Sequence, residues 1–149
     1  MTSSYLVFHL TGRLFGMKLQ GAIEILPWRP SRPVPLSFQF VEGLLDYRGT
    51  VYPVFNLAQR VGLNRPGPIG FTADEQGQPA AGRSIILVEE NKKSFGITVD
   101  GVAKMVKLED GPAVLGKAQG IDPGFVKGCV YDDGQEIIIL DFERLFNAG

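Results

Sequence analysis

The chain repeats itself, and this constrains the fold more than any other property of the sequence. Sliding the sequence along by 80 positions lays residues 5–26 over residues 85–106. Phe15-Gly16 then falls on Phe95-Gly96 and Gly21 on Gly101, while Tyr5-Leu6-Val7-Phe8 falls on Ile85-Ile86-Leu87-Val88. A shift of 85 continues the match. Phe40-Val41-Glu42-Gly43 lies over Phe125-Val126-Lys127-Gly128, Gly49 over Gly134, and Val54-Phe55-Asn56-Leu57 over Ile139-Leu140-Asp141-Phe142. Apolar coincidences are cheap. Matched glycines are not, because glycine is placed where the backbone needs positive φ or close approach. The change of offset puts a five-residue insertion in the second copy, within 107–124.

Each copy reads as short strands joined by sharp turns. A strand (5–10; 84–88) meets a turn, and a return strand follows (14–19; 94–99). A third strand covers 22–26 or 102–106. After a variable loop come a strand ending near Leu45 or Val130, a turn at Gly49 or Gly134, and a last strand over 51–55 or 136–140. Asn56 and Asp141 then occupy equivalent positions, and both are favoured helix N-caps. Leu57 with Val61, and Phe142 with Phe146, follow at i, i+4 spacing. Gly62 suits the residue after a helix end. About five short strands per copy predict a small closed barrel. A unit of roughly 60 residues is marginal alone, so two barrels should pack together. The expected layout is a single domain over 1–149, with a first barrel at about 5–63, a surface linker at 64–83 and a second barrel at about 84–146.

Composition narrows the function. A formal net charge of −1 gives no basic excess for a binder held by phosphate contacts. Cys129 is the only cysteine, so neither an intrachain disulfide nor a thiolate metal cluster is available. The apolar run Tyr5-Leu6-Val7-Phe8 is too short for a membrane span or a signal h-region, and the reading is a cytoplasmic protein that does not insert in the membrane.

No catalytic set, metal site or cofactor is expected. His9 is the sole histidine and sits inside a strand, so it is read as a strand residue rather than a catalytic base. Asp132-Asp133-Gly134 and Asp74-Glu75 are turn acids without calcium-loop spacing, and no glycine-rich phosphate loop opens a helix. Trp28 with Arg29 and Arg32 suits a nucleobase or a proline-rich motif; the plainer reading is a solvated loop with one anchoring aromatic.

The segment Val41-x-Gly43-Leu44-Leu45-Asp46-Tyr47-Arg48-Gly49-Thr50-Val51-Tyr52-Pro53-Val54-Phe55-Asn56-Leu57 resembles the CheW family, whose pattern there is V-x-G-V-x-N-L-R-G-x-V-x-P-V-x-D-L. Tyr5-Leu6-Val7-Phe8 through Phe15-Gly16 is similar to the family's opening hairpin, and Phe95-Gly96-Ile97-Thr98-Val99-Asp100-Gly101-Val102 to a stretch near G-I-x-V-D-x-V. Phe125-Val126-x-Gly128 through Ile138-Ile139-Leu140-Asp141 is similar to its close. The resemblance spans 5–146. It implies an all-β protein of two SH3-like five-stranded barrels packed side by side, with short helical turns and a groove between the barrels. It also implies a non-enzymatic adaptor that binds the regulatory domain of a CheA-type histidine kinase and the cytoplasmic tip of a chemoreceptor. Asp46-Tyr47 stands where the family has Asn-Leu, and Asn56 where it has Asp. These departures leave open a chemosensory pathway with a non-flagellar output. A single-stranded nucleic-acid-binding barrel is the competing function.

By the same resemblance, Gly43, Leu44, Arg48, Gly49, Val102 and Met105 are candidates for the receptor groove. For the glycines the plainer reading is turn geometry; for Val102 and Met105 it is core packing. Arg48 has Glu24 as a candidate ion-pair partner. Under the repeat Glu24 falls on Lys104 and Arg48 on Asp133, so both copies are expected to hold one ion pair with the signs exchanged. Arg48 can brace the barrel through this pair, contact a partner, or do both.

Overall fold

A computed structural model describes residues 2–34, 41–63, 83–90, 92–109 and 121–146. The linker at 64–82, with Asp74 and Glu75, and most of the region holding the expected insertion lie outside the described residues. Ten strands are described. The first copy supplies β1 (Thr2–Leu10), β2 (Arg13–Lys18), β3 (Ala22–Pro27), β4 (Val41–Tyr47) and β5 (Thr50–Asn56), then a one-turn helix α1 (Leu57–Arg60). The second supplies β6 (Ser84–Glu90), β7 (Lys93–Val99), β8 (Gly101–Glu109), β9 (Val126–Asp132) and β10 (Gln135–Leu140), then α2 (Phe142–Phe146). Element for element, the copies match at the offsets read from the sequence. Both helix caps form: Asn56 accepts from the Gln59 amide at 3.1 Å, and Asp141 from the Arg144 amide at 3.2 Å. No described helix is long and apolar enough to cross a membrane.

The pairing departs from the expected layout. The sheets run β8-β1-β2-β10-β9 and β3-β6-β7-β5-β4, so 5–63 and 84–146 do not each close a barrel. Each copy lends its opening hairpin to the other. The cause is local. After β2 a 3-10 turn at Leu19–Gly21 redirects the chain, and β3 pairs antiparallel with β6 (Leu26 opposite Ile85) instead of returning to β1. The lent hairpin is held by a parallel ladder on its inner strand, Phe15 opposite Ile138 in one sheet and Ile97 opposite Phe55 in the other.

The Phe-Gly pairs explain why this ladder closes tightly. A Cβ on Gly16 would lie 3.0 Å from Ile139 Cδ1 and 3.2 Å from Ile137 Cγ2, and one on Gly96 would lie 3.1 Å from Ile85 Cγ2. Those isoleucine methyls occupy the space a side chain would need.

Three apolar clusters hold the molecule. One fills the barrel with β3 and β4: Leu26, Leu45, Val54, Ile85 and Leu87, with Trp28, Tyr47 and Tyr52 against it. Another fills its counterpart: Tyr5, Val7, Ile137 and Ile139, with Leu14, Val106, Leu108 and Val130. The repeat maps these lists onto each other almost position by position (Leu26 on Val106, Trp28 on Leu108, Leu45 on Val130, Val54 on Ile139). The largest cluster lies between the sheets, around Phe8, Phe15, Leu57, Ile86, Ile97, Ile138 and Leu145, all at most 1% exposed. At ~25 cal/mol per Å² of buried apolar surface, this shared layer joins the two barrels into one body.

Candidate functional site

The hairpin between β4 and β5 turns on two residues, Arg48 and Gly49, at φ 51° and φ 82°. Positive φ at both central positions defines the tight hairpin turn whose twist matches the strands. Its counterpart in the second copy uses Asp133 and Gly134 at φ 52° and 76°. Aspartate tolerates this region through its short polar side chain; arginine has no such excuse. Arg48 is therefore held in a conformation its side chain does not favour.

The Arg48 guanidinium comes to 3.8 Å from Glu24 Oε1 on β3, with the arginine side chain 77% exposed and the glutamate 34%. It also lies over Tyr47, 5.1 Å from the ring centroid, and Arg29 covers the same ring at 5.3 Å. Tyr47 titrates above the ordinary tyrosine range, chiefly because its hydroxyl hydrogen-bonds the Glu24 carboxylate; the nearby Arg48 charge pulls the other way. Arg32 reaches Asp46 at 3.5 Å. Three arginines, one tyrosine and two carboxylates thus cluster at the open end of this barrel.

The expectation of one sign-exchanged pair per barrel needs correcting in detail. Lys104 bonds Asp132 at 2.8 Å, not Asp133. Under the repeat Lys104 falls on Glu24 and Asp132 falls on Tyr47. The equivalent of the tight Lys104–Asp132 contact is therefore Glu24–Tyr47, and the exposed Arg48 sits one residue further on, in the turn.

The other candidates are distributed between the barrels. Gly43, on β4, is buried, and a Cβ there would lie 2.1 Å from the Arg32 carbonyl oxygen. That close approach lets Arg32 and Leu44 exchange two backbone hydrogen bonds of 2.8 Å, so the glycine serves the fold. Leu44 is half-buried beside it, and Gly49 faces open space. Val102 and Met105 lie on β8, in the other sheet, and are 36% and 66% exposed; core packing does not account for them.

Some surface features escaped the sequence reading. Ile23 and Ile25, 48% and 43% exposed, flank Glu24 on β3, and Val51, 48% exposed, follows Thr50 on β5 beside the turn. The run Ile23-Glu24-Ile25-Leu26 held the signal, since apolar residues on both faces of an edge strand leave one apolar face uncovered. Glu42 was matched only as part of the repeat. It is 8% exposed and accepts from Thr98 Oγ1 at 2.8 Å and Asn56 Nδ2 at 3.4 Å, joining β4, β5 and β7. His9 is an exposed residue of β1. Among the described residues no three His, Cys, Asp or Glu side chains are grouped to hold a metal.

A model of the CheW-like domain matches residues 4–149. The chain belongs to the CheW-like family. Similar members are a chemotaxis protein CheW of Treponema pallidum, 29% identical over 143 residues (95% of this chain, 80% of that one), and a chemotaxis protein CheW of Thermotoga maritima, 32% identical over 113 residues (76% and 67%). The crystal structure of the scaffolding protein TtCheW from Thermoanaerobacter tengcongensis superposes with a TM-score of 0.81 at 25% identity, covering 98% of this chain and 88% of that one. The two exchanged sheets are thus the paired SH3-like barrels of the CheW fold. CheW-family proteins are scaffolds of chemotaxis signalling and are generally not enzymes.

Proposed function

We propose that this chain acts in the cytoplasm as a non-enzymatic adaptor coupling the regulatory domain of a CheA-type histidine kinase to the cytoplasmic tip of a chemoreceptor. The observation that carries the reading is Arg48. Its pair with Glu24 is long and solvated, and such pairs contribute about 0–1 kcal/mol, too little to explain an arginine in a left-handed turn. A strained, exposed residue with small structural value is a candidate contact. Exposed Val51, close behind the turn on β5, provides an apolar neighbour of the kind partner surfaces use, with Arg48 as a charged anchor. Leu44 and Gly49 on this barrel, and Val102 and Met105 on the other, complete the proposed receptor-facing set. Gly43 shapes it from behind. The nucleic-acid reading is the weaker one, because Arg29 lies over Tyr47 and Arg32 lies beside Asp46.

The test is capture of both partners, the kinase regulatory domain and a receptor-tip fragment, by the full chain and by Arg48→Ala. The expected result is capture of both by the parent chain and loss of at least one with the variant, at an unchanged melting temperature. An unfolded variant assigns Arg48 to bracing. Failure of the parent chain to capture either partner, where another CheW-family protein captures both, overturns the reading.

A further inference from the structure

The internal repeat allows one barrel end to be read against the other, and the two differ in how their charges are matched. In the second barrel Lys104 meets Asp132 at 2.8 Å, so cation and anion neutralise each other between β8 and β9. In the first barrel the equivalent contact, between β3 and β4, joins Glu24 to Tyr47. A neutral phenol stands where the second barrel has Asp132, and its hydroxyl engages the Glu24 carboxylate. Arg48 meets that carboxylate only at 3.8 Å, and its side chain stays largely exposed.

Arg29 and Arg48, both exposed, fall under the repeat on Glu109 and Asp133. One end of the molecule thus carries two guanidinium groups where the other carries two acids. A single ring orders both cations: they lie 5.3 and 5.1 Å from the Tyr47 centroid. That ring is itself anchored against the Leu26, Leu45 and Val54 cluster, and Arg29 also reaches the Asp46 carbonyl oxygen at 3.5 Å. Stacking holds a guanidinium by its face and leaves its N–H edge for a carboxylate, which it grips with two parallel bonds. Leucine, the residue of the CheW pattern at this position, has neither the π face nor the hydroxyl.

On the adaptor reading of Arg48, on which this rests, we propose that Tyr47 and Arg29 determine which receptor surface the chain accepts: together they hold two guanidinium groups open for an acidic side chain of the receptor tip. Tyr47 is a positioning residue. It keeps the Glu24 carboxylate from closing on Arg48 and supplies the face on which both arginines lie. Arg29 is a second cationic contact beside Arg48.

The first arm of the test reads the free full-length chain, by the Nε–Hε NMR resonance of Arg48. Tyr47→Phe keeps the ring and releases Glu24 to close on Arg48, so the resonance should shift and its solvent exchange slow. Adding Glu24→Gln should return both to parent values. An Arg48 resonance indifferent to Tyr47→Phe overturns the positioning role, whether or not a partner is captured. The second arm is affinity for a receptor-tip fragment. Tyr47→Phe and Arg29→Ala should each weaken it about fivefold, the upper end for one exposed ion pair. Glu24→Gln should restore the affinity lost in Tyr47→Phe, which it would not do for a merely structural defect. Changing the fragment's Asp and Glu residues singly to Asn and Gln should reveal one substitution that makes binding insensitive to Arg29→Ala. Equal binding by parent and variants overturns the proposal. A parent chain that captures no fragment overturns the adaptor reading itself, and the Arg48 resonance still decides the part played by Tyr47. Self-association of the parent that Arg29→Ala abolishes would assign the cations to Glu109 and Asp133 of a second copy and overturn the receptor assignment.

Discussion

Arg60 donates its Nε to the carbonyl oxygen of Leu145 at 2.8 Å, and under the internal repeat Leu145 is the residue that stands where Arg60 does. The last turn of α1 thus grips the last turn of α2 at its own equivalent position. The guanidinium also lies 4.6 Å from the centre of the Phe125 ring. Arg60→Ala should destabilise the protein by about 1–3 kcal/mol, since it removes a charge-assisted bond to a carbonyl and a stacked cation. Urea denaturation at unchanged m-value measures it; a change below about 0.5 kcal/mol would mean the contact is idle.

Arg48→Gly offers a sharper separation of stability from function than alanine. Glycine reaches φ 51° without penalty, so relief of the turn should leave stability equal or raise it by up to about 1 kcal/mol. Partner capture should still fall. A thermal melt beside the capture assay reads both effects, and retained capture would remove Arg48 from the proposed contact set.

Tyr47 sets a dependence on pH at the alkaline end. Its folded pKa is raised, so folding favours the protonated phenol. That stabilisation is complete below the unfolded tyrosine value, about 10, and is lost as pH rises through the higher folded value. Tyr47→Phe should abolish this part of the alkaline loss. Tyrosinate absorbance of the parent minus that of the variant should isolate one phenol ionising above the ordinary range.

Glu42→Ala should cost about 1–3 kcal/mol. It strips a buried acceptor from Thr98 and Asn56, leaving an enclosed hydroxyl and amide without it. The replacement of Thr98 by Val in the same background should recover part of the loss, because the orphaned hydroxyl goes with it. Denaturant melts of the two single variants and the double variant decide this.

Gly16→Val should be at least as damaging as a typical overpacked core substitution, about 1–3 kcal/mol. The added Cβ alone would stand 3.0 Å from Ile139 Cδ1, inside the parallel ladder that joins the copies. Differential scanning calorimetry should show a lowered melting temperature, whereas the same change at exposed Gly12, with no atom near its Cβ, acts only through the φ 79° of its turn.

The repeat and the strands were legible because their signals are local: alternating apolar residues, paired glycines at hairpins, and Asn56 or Asp141 before each helix. The exchange of hairpins was not. Two copies with one pattern satisfy swapped and unswapped pairing equally well, since Phe15-Gly16 and Phe95-Gly96 offer the same ladder to either partner. The crossing is made through the 3-10 turn at Leu19–Gly21 in one copy and through Asp100 in the other, and neither connection carries a distinctive sequence marker. The Glu24–Arg48 pair was legible in the sequence; its sign-exchanged counterpart was misplaced by one residue. Residues adjacent in sequence point to opposite faces of a strand, so Asp132, and not Asp133, meets Lys104. Val102 and Met105 could not be told from core by apolarity alone, because an edge strand with an uncovered face has the composition of a buried one.

The chain crosses from one barrel to the other after β2 and again after β7. A rocking motion of one lobe against its neighbour would have to open the shared apolar layer around Phe8, Phe15, Ile86, Ile97 and Ile138 before it could begin. Molecules docked at opposite ends of such a body are held at a constant separation, as by the jaws of a locked caliper. Movement in any assembly built around it must then come from the docked molecules themselves.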